Sequence, residues 1–437
     1  MTAPIGTLLP LTSLSNFQAA LDFIAWLKQN NQQAWQMLPL SDDIATPYRN
    51  QGIGLSPFFY DPHIPQEFRT WVISRDQFVA DQEEWLLDYA LYQALAEKYQ
   101  QKDWRAWPDA LAAHDVTALA QARQELHERV DVYIDQQYFL ANQMLLLRRR
   151  AAESEIMLIG DLPFYLAPTS SLVWSHQELF QLGEGGQLVL QSGVPAAFDE
   201  PFVQQFWGHP LYDWAGNSLE NIMNLFALRL RYYRAFFDLI RIDHANGFFR
   251  YGAMSPEHPA WCTKLEGPGQ VATQRLLQIA HNLDLGIYFE DIASDKLRLE
   301  QFMKHFQIAG TRVLTLLYNL EATQEIKVRD RDLSLESLAG NNIVFSSTHD
   351  TIPLITWVKS LPTPLKERFC DINNLPKSET DEHLATTLRE RLLTLDARLI
   401  IIPWQDWQLD DFRFNVPGHE ELTNWHYLVD IKKYLKK

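Results

Sequence analysis

Only two cysteines, Cys262 and Cys370, occur in the 437 residues. They lie far apart and outside any CxxC pattern, which supports neither a disulfide framework nor a cysteine zinc site and fits a reducing compartment. Basic residues are in deficit: 38 Lys and Arg against 55 Asp and Glu leave a formal charge of −17. That balance argues against a nucleic-acid partner, because phosphates are met by clustered cations. No apolar run approaches the roughly 18 residues of a membrane span. The first lysine is Lys28, so no basic head precedes the first apolar stretch as it would in a secretory signal. The expectation is a cytoplasmic protein with no membrane partner. There is no internal repeat and no low-complexity tract. What remains, 46% hydrophobic and 21% charged residues, is the composition of a folded globular chain rather than a disordered one.

Several short apolar runs end abruptly in polar or charged residues, the pattern of buried parallel strands whose C-terminal ends face a site. They are Ala34–Leu40, a weaker one at Phe58–Tyr60, Ile156–Asp161, Asp238–His244, Ile287–Asp291, Arg312–Leu317, Ile343–Asp350 and Leu399–Asp406. Amphipathic helical segments such as Leu219–Phe237, Val271–Leu283 and Leu297–Phe306 separate most of them. Strand and helix alternating in this way predict an α/β protein, a (β/α)8 TIM barrel with helical insertions. The largest insertion is expected between the second and third strands, a helical subdomain over 83–155 within a single catalytic barrel spanning 1–437. The basic tail Ile431–Lys437 is expected to complement the dipole of a final helix.

Catalytic groups of such a barrel stand where its strands end. Asp161, Asp243, Glu290 with Asp291, and Asp350 all end predicted strands. One of them alone could be a helix cap, but four converging on one mouth repel each other, and stability does not explain that. Arg241 and Asp243, two apart on a strand, face the same way, so the guanidinium is expected to hold Asp243 ionised. Glu290 follows the apolar Ile287-Tyr288-Phe289, where desolvation would raise its pKa and keep it protonated. An ionised carboxylate beside a protonated one is the requirement of retaining glycoside chemistry. His349 and Asp350 would then meet sugar hydroxyls.

Tryptophan is abundant, with 14 copies. Trp174, Trp207, Trp404 and Trp407 lie at or just after predicted strand ends and could line a sugar cleft or the core. A metal-dependent hydrolase would draw on His176, His209, His244 and His349, but no HExxH and no tight His/Cys cluster supports it. Gly183-Glu184-Gly185-Gly186 lacks the residues of a phosphate loop.

Taken in order, the motifs resemble those of the amylomaltases, the 4-α-glucanotransferase family of the α-amylase clan. The resemblance rests on Gly160-Asp161-Leu162-Pro163, Val173-Trp174-Ser175-His176 with Glu178-Leu179-Phe180, and Gln205-Phe206-Trp207-Gly208-His209-Pro210-Leu211-Tyr212. Arg241-Ile242-Asp243-His244, Glu290-Asp291 and Thr348-His349-Asp350 look like the three catalytic motifs. Trp35–Leu40, Gln405-Asp406, Asn415–Gly418 and Asn424-Trp425 extend the likeness over nearly the whole chain.

The resemblance implies a 4-α-glucanotransferase acting on maltooligosaccharides or other α-1,4-glucans, without metal or organic cofactor. By the same resemblance Asp243 would be the nucleophile, Glu290 the general acid and base, and Asp350 the transition-state stabiliser. Arg241, His349 and Asp161 would bind the donor sugar, with Trp207, Tyr48 and Asn415 along the cleft, and the barrel would fill this length without a further N-terminal module. The chain departs from the family pattern at His209, Asn246 and Thr351 and in the run Ala196-Ala197-Phe198-Asp199-Glu200. A retaining hydrolase or altered-acceptor transferase, and a glucan-binding protein without turnover, are the alternative readings.

Overall fold

The computed structural model describes residues 3–41, 46–59, 71–194, 204–215, 219–258, 261–292, 296–317, 333–377, 380–417 and 425–435. In chain order the strands are β1 (Ile5–Leu8), β2 (Ala34–Gln36), β3 (Met157–Leu162), β4 (Gln191–Val194), β5 (Gln205–Pro210), β6 (Leu239–Ile242), β7 (Arg250–Met254), β8 (Cys262–Glu266), β9 (Gly286–Phe289), β10 (Gly310–Val313), β11 (Gly340–Phe345) and β12 (Ala397–Pro403). Eight of them close a parallel barrel in the order β1-β12-β11-β10-β9-β6-β3-β2. The TIM-barrel expectation holds. Inside it Leu8, Ala34, Ile159, Tyr288, Val313, Ile343, Phe345 and Ile401 pack as one apolar core.

The first barrel strand is not one of the expected eight. β1 pairs with β2 and β12 to close the barrel, and its Gly6-Thr7 interrupts what would otherwise be a recognisable apolar run. Glycine is required there, because a Cβ on Gly6 would come within 2.7 Å of Ala34 and 2.8 Å of Ile401. Conversely, Phe58 does not belong to a strand: Pro57–Phe59 form a 3-10 turn, with Tyr60 outside the described residues. Aromatic content suggested extension at this point, but the proline starts a turn. The expected strand Arg312–Leu317 starts earlier, at Gly310, and gives way to a 3-10 turn over Leu314–Leu316.

The helices in chain order are α1 (Phe17–Gln29), α2 (Arg75–Asp81), α3 (Leu86–Tyr99), α4 (Asp109–Ala112), α5 (Val116–Glu125), α6 (His127–Glu153), α7 (Ser171–Ser175), α8 (Leu219–Arg234), α9 (Gln270–Asn282), α10 (Leu297–Phe306), α11 (Leu354–Ser360), α12 (Thr363–Ile372), α13 (Asp381–Leu392) and α14 (Trp404–Gln408). α2 to α6 fill the stretch between β2 and β3, where α3 packs along the long α6. The antiparallel sheet β5-β4-β7-β8 stands outside the barrel and was not anticipated; its strands are short and mixed in polarity. At the C-terminal end the described residues hold only a 3-10 turn, Ile431–Lys433, in place of the expected final helix.

Candidate active site

Strand register brings the first functional side chains together. Asp161 on β3 and Arg241 on β6 are direct partners across the parallel ladder, as are Arg241 and Tyr288 on β9. Residues level with one another on neighbouring parallel strands point to the same face, so these three form one layer inside the barrel mouth. Arg241 Nη1 donates to both oxygens of the fully buried Asp161, at 2.8 and 2.7 Å, and lies 3.0 Å from Asp243. Its Nη2 lies 3.1 Å from Glu290. Burial alone would weaken the hold of Arg241 on its proton. The surrounding Asp161, Tyr48, Glu290 and Asp243 outweigh it, and the guanidinium stays a cation at any working pH.

A second chain of contacts leads to Asp350. The Tyr48 hydroxyl donates to Asp161 at 2.7 Å and lies 2.8 Å from His349 Nε2. That same ring nitrogen is 3.1 Å from an Asp350 oxygen, and Asn415 Nδ2 donates to the other at 2.6 Å. Arg413 donates to the Asp350 carbonyl at 3.1 Å. Trp425 closes the cluster, its ring centroid 6.0 Å from Tyr48 and 5.9 Å from His349. Burial would raise Asp350, but His349, the Asn415 hydrogen bond and Arg241 bring its pKa down to about 2, so it is ionised.

Asp243 and Glu290 behave differently. Burial pushes both above the ordinary carboxylate range; Arg241 pulls them back, and the neighbouring Asp161 and Asp350 push them up again. The expectation that Arg241 alone would keep Asp243 ionised is therefore corrected. One guanidinium is shared among Asp161, Asp243 and Glu290, and for Asp243 and Glu290 burial outweighs its attraction. The pair titrates as a unit and retains a proton that neither isolated carboxyl would hold. A raised pKa for Glu290 matches the sequence expectation and its cause.

The segment after Asp243 turns sharply. His244 has φ +43°, a left-handed conformation that β6 could not continue through. This aims its backbone N–H at Glu290, which accepts at 2.8 Å. The His244 ring stands edge-on to Trp207 with centroids 4.9 Å apart, and Trp207 Nε1 donates to Gln205 at 2.9 Å. Behind them His209 stacks on Tyr165 at 5.9 Å and meets the Ser192 hydroxyl at 3.0 Å. Burial, reinforced by Arg49 for His209 and by Arg241 for His244, brings both imidazoles down to about 4. Both are neutral at pH 7.

All nine singled-out residues, Tyr48, Asp161, Trp207, Arg241, Asp243, Glu290, His349, Asp350 and Asn415, thus belong to one connected cluster. The remaining candidates lie elsewhere. Trp174 and Trp404 are fully buried in the core, and Trp407 donates to Thr7 at 2.8 Å. His176 turns to Ser175, and among the described residues no group of three or more His, Cys, Asp or Glu could hold a metal ion. Asn246 donates to the Arg250 carbonyl, and Thr351 accepts from the Thr348 backbone, so both serve local turns. Residues 195–203, which include most of the divergent loop, and also Gly418 and Asn424, lie outside the described residues.

One supporting residue, seen in the sequence as a strand end and in the Gln405-Asp406 motif, had no role assigned to it. Asp406 is fully buried and accepts from the hydroxyls of Ser346 and Ser347, at 2.5 and 2.6 Å, and from the Leu354 N–H at 2.8 Å. These three donors bracket His349 and Asp350, so Asp406 ties down both ends of the loop that carries them.

The family model for 4-α-glucanotransferase, glycoside hydrolase family 77, matches residues 65–432. The chain belongs to this family. A 4-α-glucanotransferase of Aquifex aeolicus is 27% identical over 391 residues, covering 85% of this chain and 75% of that protein. One from Thermus thermophilus is 26% identical over 460 aligned positions, covering 93% and 89%. The chloroplastic/amyloplastic 4-α-glucanotransferase of Solanum tuberosum is 27% identical over 358 residues, covering 79% of this chain and 58% of that protein. Among solved structures, an amylomaltase from Streptococcus agalactiae in complex with acarbose superposes with a TM-score of 0.85 at 23% identity, covering 100% of this chain and 97% of that one. That structure thus shares the barrel of this chain.

Proposed function

We propose that this protein transfers α-1,4-glucan segments between maltooligosaccharides by retaining double displacement, with Asp243 as nucleophile and Glu290 as acid and then base. The observation that carries the reading is the single guanidinium of Arg241 shared among Asp161, Asp243 and Glu290. Its charge draws Asp243 and Glu290 toward ionisation while burial favours their protonated forms, and the reaction uses both forms: one carboxylate attacks the anomeric carbon while the other, protonated, donates to the departing oxygen. Glu290, oriented by the His244 N–H, takes the proton back from the incoming 4-hydroxyl in the second step. Asp350, ionised and held by His349 and Asn415, stabilises positive charge developing on the sugar ring. Asp161, Arg241, His349 and Tyr48 present donors and acceptors to the donor sugar. Trp207, edge-on to the His244 ring, offers an aromatic face along the glucan cleft.

Incubation with maltotriose, without added metal, tests this. The expected product is a ladder of longer and shorter maltooligosaccharides plus glucose, absent with Asp243→Asn. Glucose and maltose alone would identify a hydrolase, and no conversion would count against catalysis on α-1,4-glucans.

A further inference from the structure

Arg229 on α8 is a fully buried cation that the reaction described above does not use. Among the described residues no carboxylate forms an ion pair with it. Its donors go to main-chain carbonyls instead: Nε to Gly52 at 3.1 Å, Nη2 to Pro163 at 2.5 Å and Nη1 to Phe164 at 3.5 Å. Tyr212 donates to the same Phe164 carbonyl at 2.8 Å, and the guanidinium lies 5.6 Å from the Phe226 ring centre. Burial lowers its pKa, yet arginine remains charged in proteins. An unneutralised buried charge costs folding energy, which its hydrogen bonds to these buried carbonyls offset. Stability asks only that these carbonyls find donors; it gives no reason for one side chain to join these particular segments.

The places of its partners supply one. Gly52 belongs to the loop that carries Tyr48, while Pro163 and Phe164 directly follow Asp161 and Leu162. Tyr48 and Asp161 are themselves joined by the 2.7 Å hydrogen bond that starts the contact chain to Asp350. One rigid fork thus grips both segments from behind. The grip is close, because Gly52 has φ +81° and a Cβ on it would stand 2.3 Å from Leu166 and 3.4 Å from Arg229 Nε. The cation also lies near enough to Asp243 to interact with its charge.

We propose that Arg229 is a positioning residue for glucan transfer: its fork locks the Tyr48 loop to the segment after Asp161. Lysine would keep the charge without the fork; methionine would keep the bulk without the charge. The inference rests on the transfer reading, so wild-type protein with maltotriose is run first. If the wild type makes no ladder, the transfer reading itself fails, whereas an active wild type lets the variants judge Arg229 alone.

Steady-state kinetics of Arg229→Lys and Arg229→Met across pH, with circular dichroism and thermal melts, form the test. Displacement of the reacting groups by about an ångström predicts losses of roughly 10²-fold, mainly in kcat rather than KM, in both variants. In Arg229→Met the acidic limb of kcat/KM moves to higher pH, since removing a cation favours the protonated carboxyl; in Arg229→Lys it stays in place. A folded Arg229→Met with wild-type kcat and an unmoved limb overturns the proposal, as does a loss confined to KM. Should the methionine variant fail to fold, the lysine variant decides: reduced kcat with the limb in place supports the fork, and undiminished kcat overturns it.

Discussion

His244 donates its backbone N–H to the Glu290 carboxylate at 2.8 Å, so the residue after the proposed nucleophile orients the proposed acid. The main chain just after β6 thereby fixes the Glu290 side chain at the end of β9. The bond also opposes the burial that raises Glu290, holding a carboxyl that protonates readily and still ionises.

Replacement of Glu290 by glutamine keeps an oxygen for the His244 N–H and removes the exchangeable proton together with the charge that faces Arg241. With maltotriose, kcat of Glu290→Gln falls by roughly 10²- to 10⁴-fold, the span of general acid and base catalysis. A maltosyl fluoride donor needs no protonation of its leaving group. With it, Glu290→Gln forms the glycosyl-enzyme at a rate near wild type, while Asp243→Asn does not. The pH profile adds a second signature. Because Glu290 titrates above its ordinary value, the wild-type basic limb lies above the carboxylate range, and this limb disappears in the variant with the fluoride. Equal losses of Glu290→Gln on both donors would remove the acid role.

Asp406 predicts a defect at a distance from the reacting atoms. Asparagine offers one oxygen where the carboxylate offers two, and turns an N–H toward either the serine hydroxyls or the Leu354 N–H. Leaving a buried donor unmatched costs about 1–3 kcal/mol, so Asp406→Asn unfolds at lower urea concentration. The loop it restrains carries Asp350, and kcat therefore falls further than that of Ser346→Ala, which removes a single donor. Wild-type kcat in a folded Asp406→Asn would show that the loop holds its shape without it.

The carboxylates were legible because each closes an apolar run, as in Ile156–Asp161 and Asp238–His244, where hydrophobic burial and strand period speak in one voice. β1 was not, since Gly6 and Thr7 sit where the barrel leaves no room for a large side chain, and that crowding exists only after Ala34 and Ile401 arrive. Arg229 was equally hidden. Among Arg231 and Arg234 it reads as one more solvent-facing base of an amphipathic helix, and only the tertiary fold turns it inward to three carbonyls. The protonation of Asp243 failed for a related reason: its spacing from Arg241 is local, but the competition of Asp161 and Glu290 for the same guanidinium comes from other strands.

His209 gives the molecule a pH dependence with a definite sign. The unfolded imidazole takes its proton near 6.5, while the folded one, buried against Tyr165, stays neutral down to about 4. Between those values the unfolded state binds the additional proton, so stability is kept in full above the window and declines as pH falls through it. At about 1.4 kcal/mol per pKa unit the loss from this one group is on the order of 2 kcal/mol at pH 5. Asparagine accepts no proton, and His209→Asn flattens the difference in urea-derived unfolding free energy between pH 7 and pH 5 by about that amount. The difference between pH values cancels the constant cost of losing the stacked ring, and it cancels the contributions of Asp243 and Glu290, which run the other way in both proteins. Parallel declines in wild type and variant would mean that the imidazole is solvated in the folded protein, and with it the face between Trp207 and Tyr165.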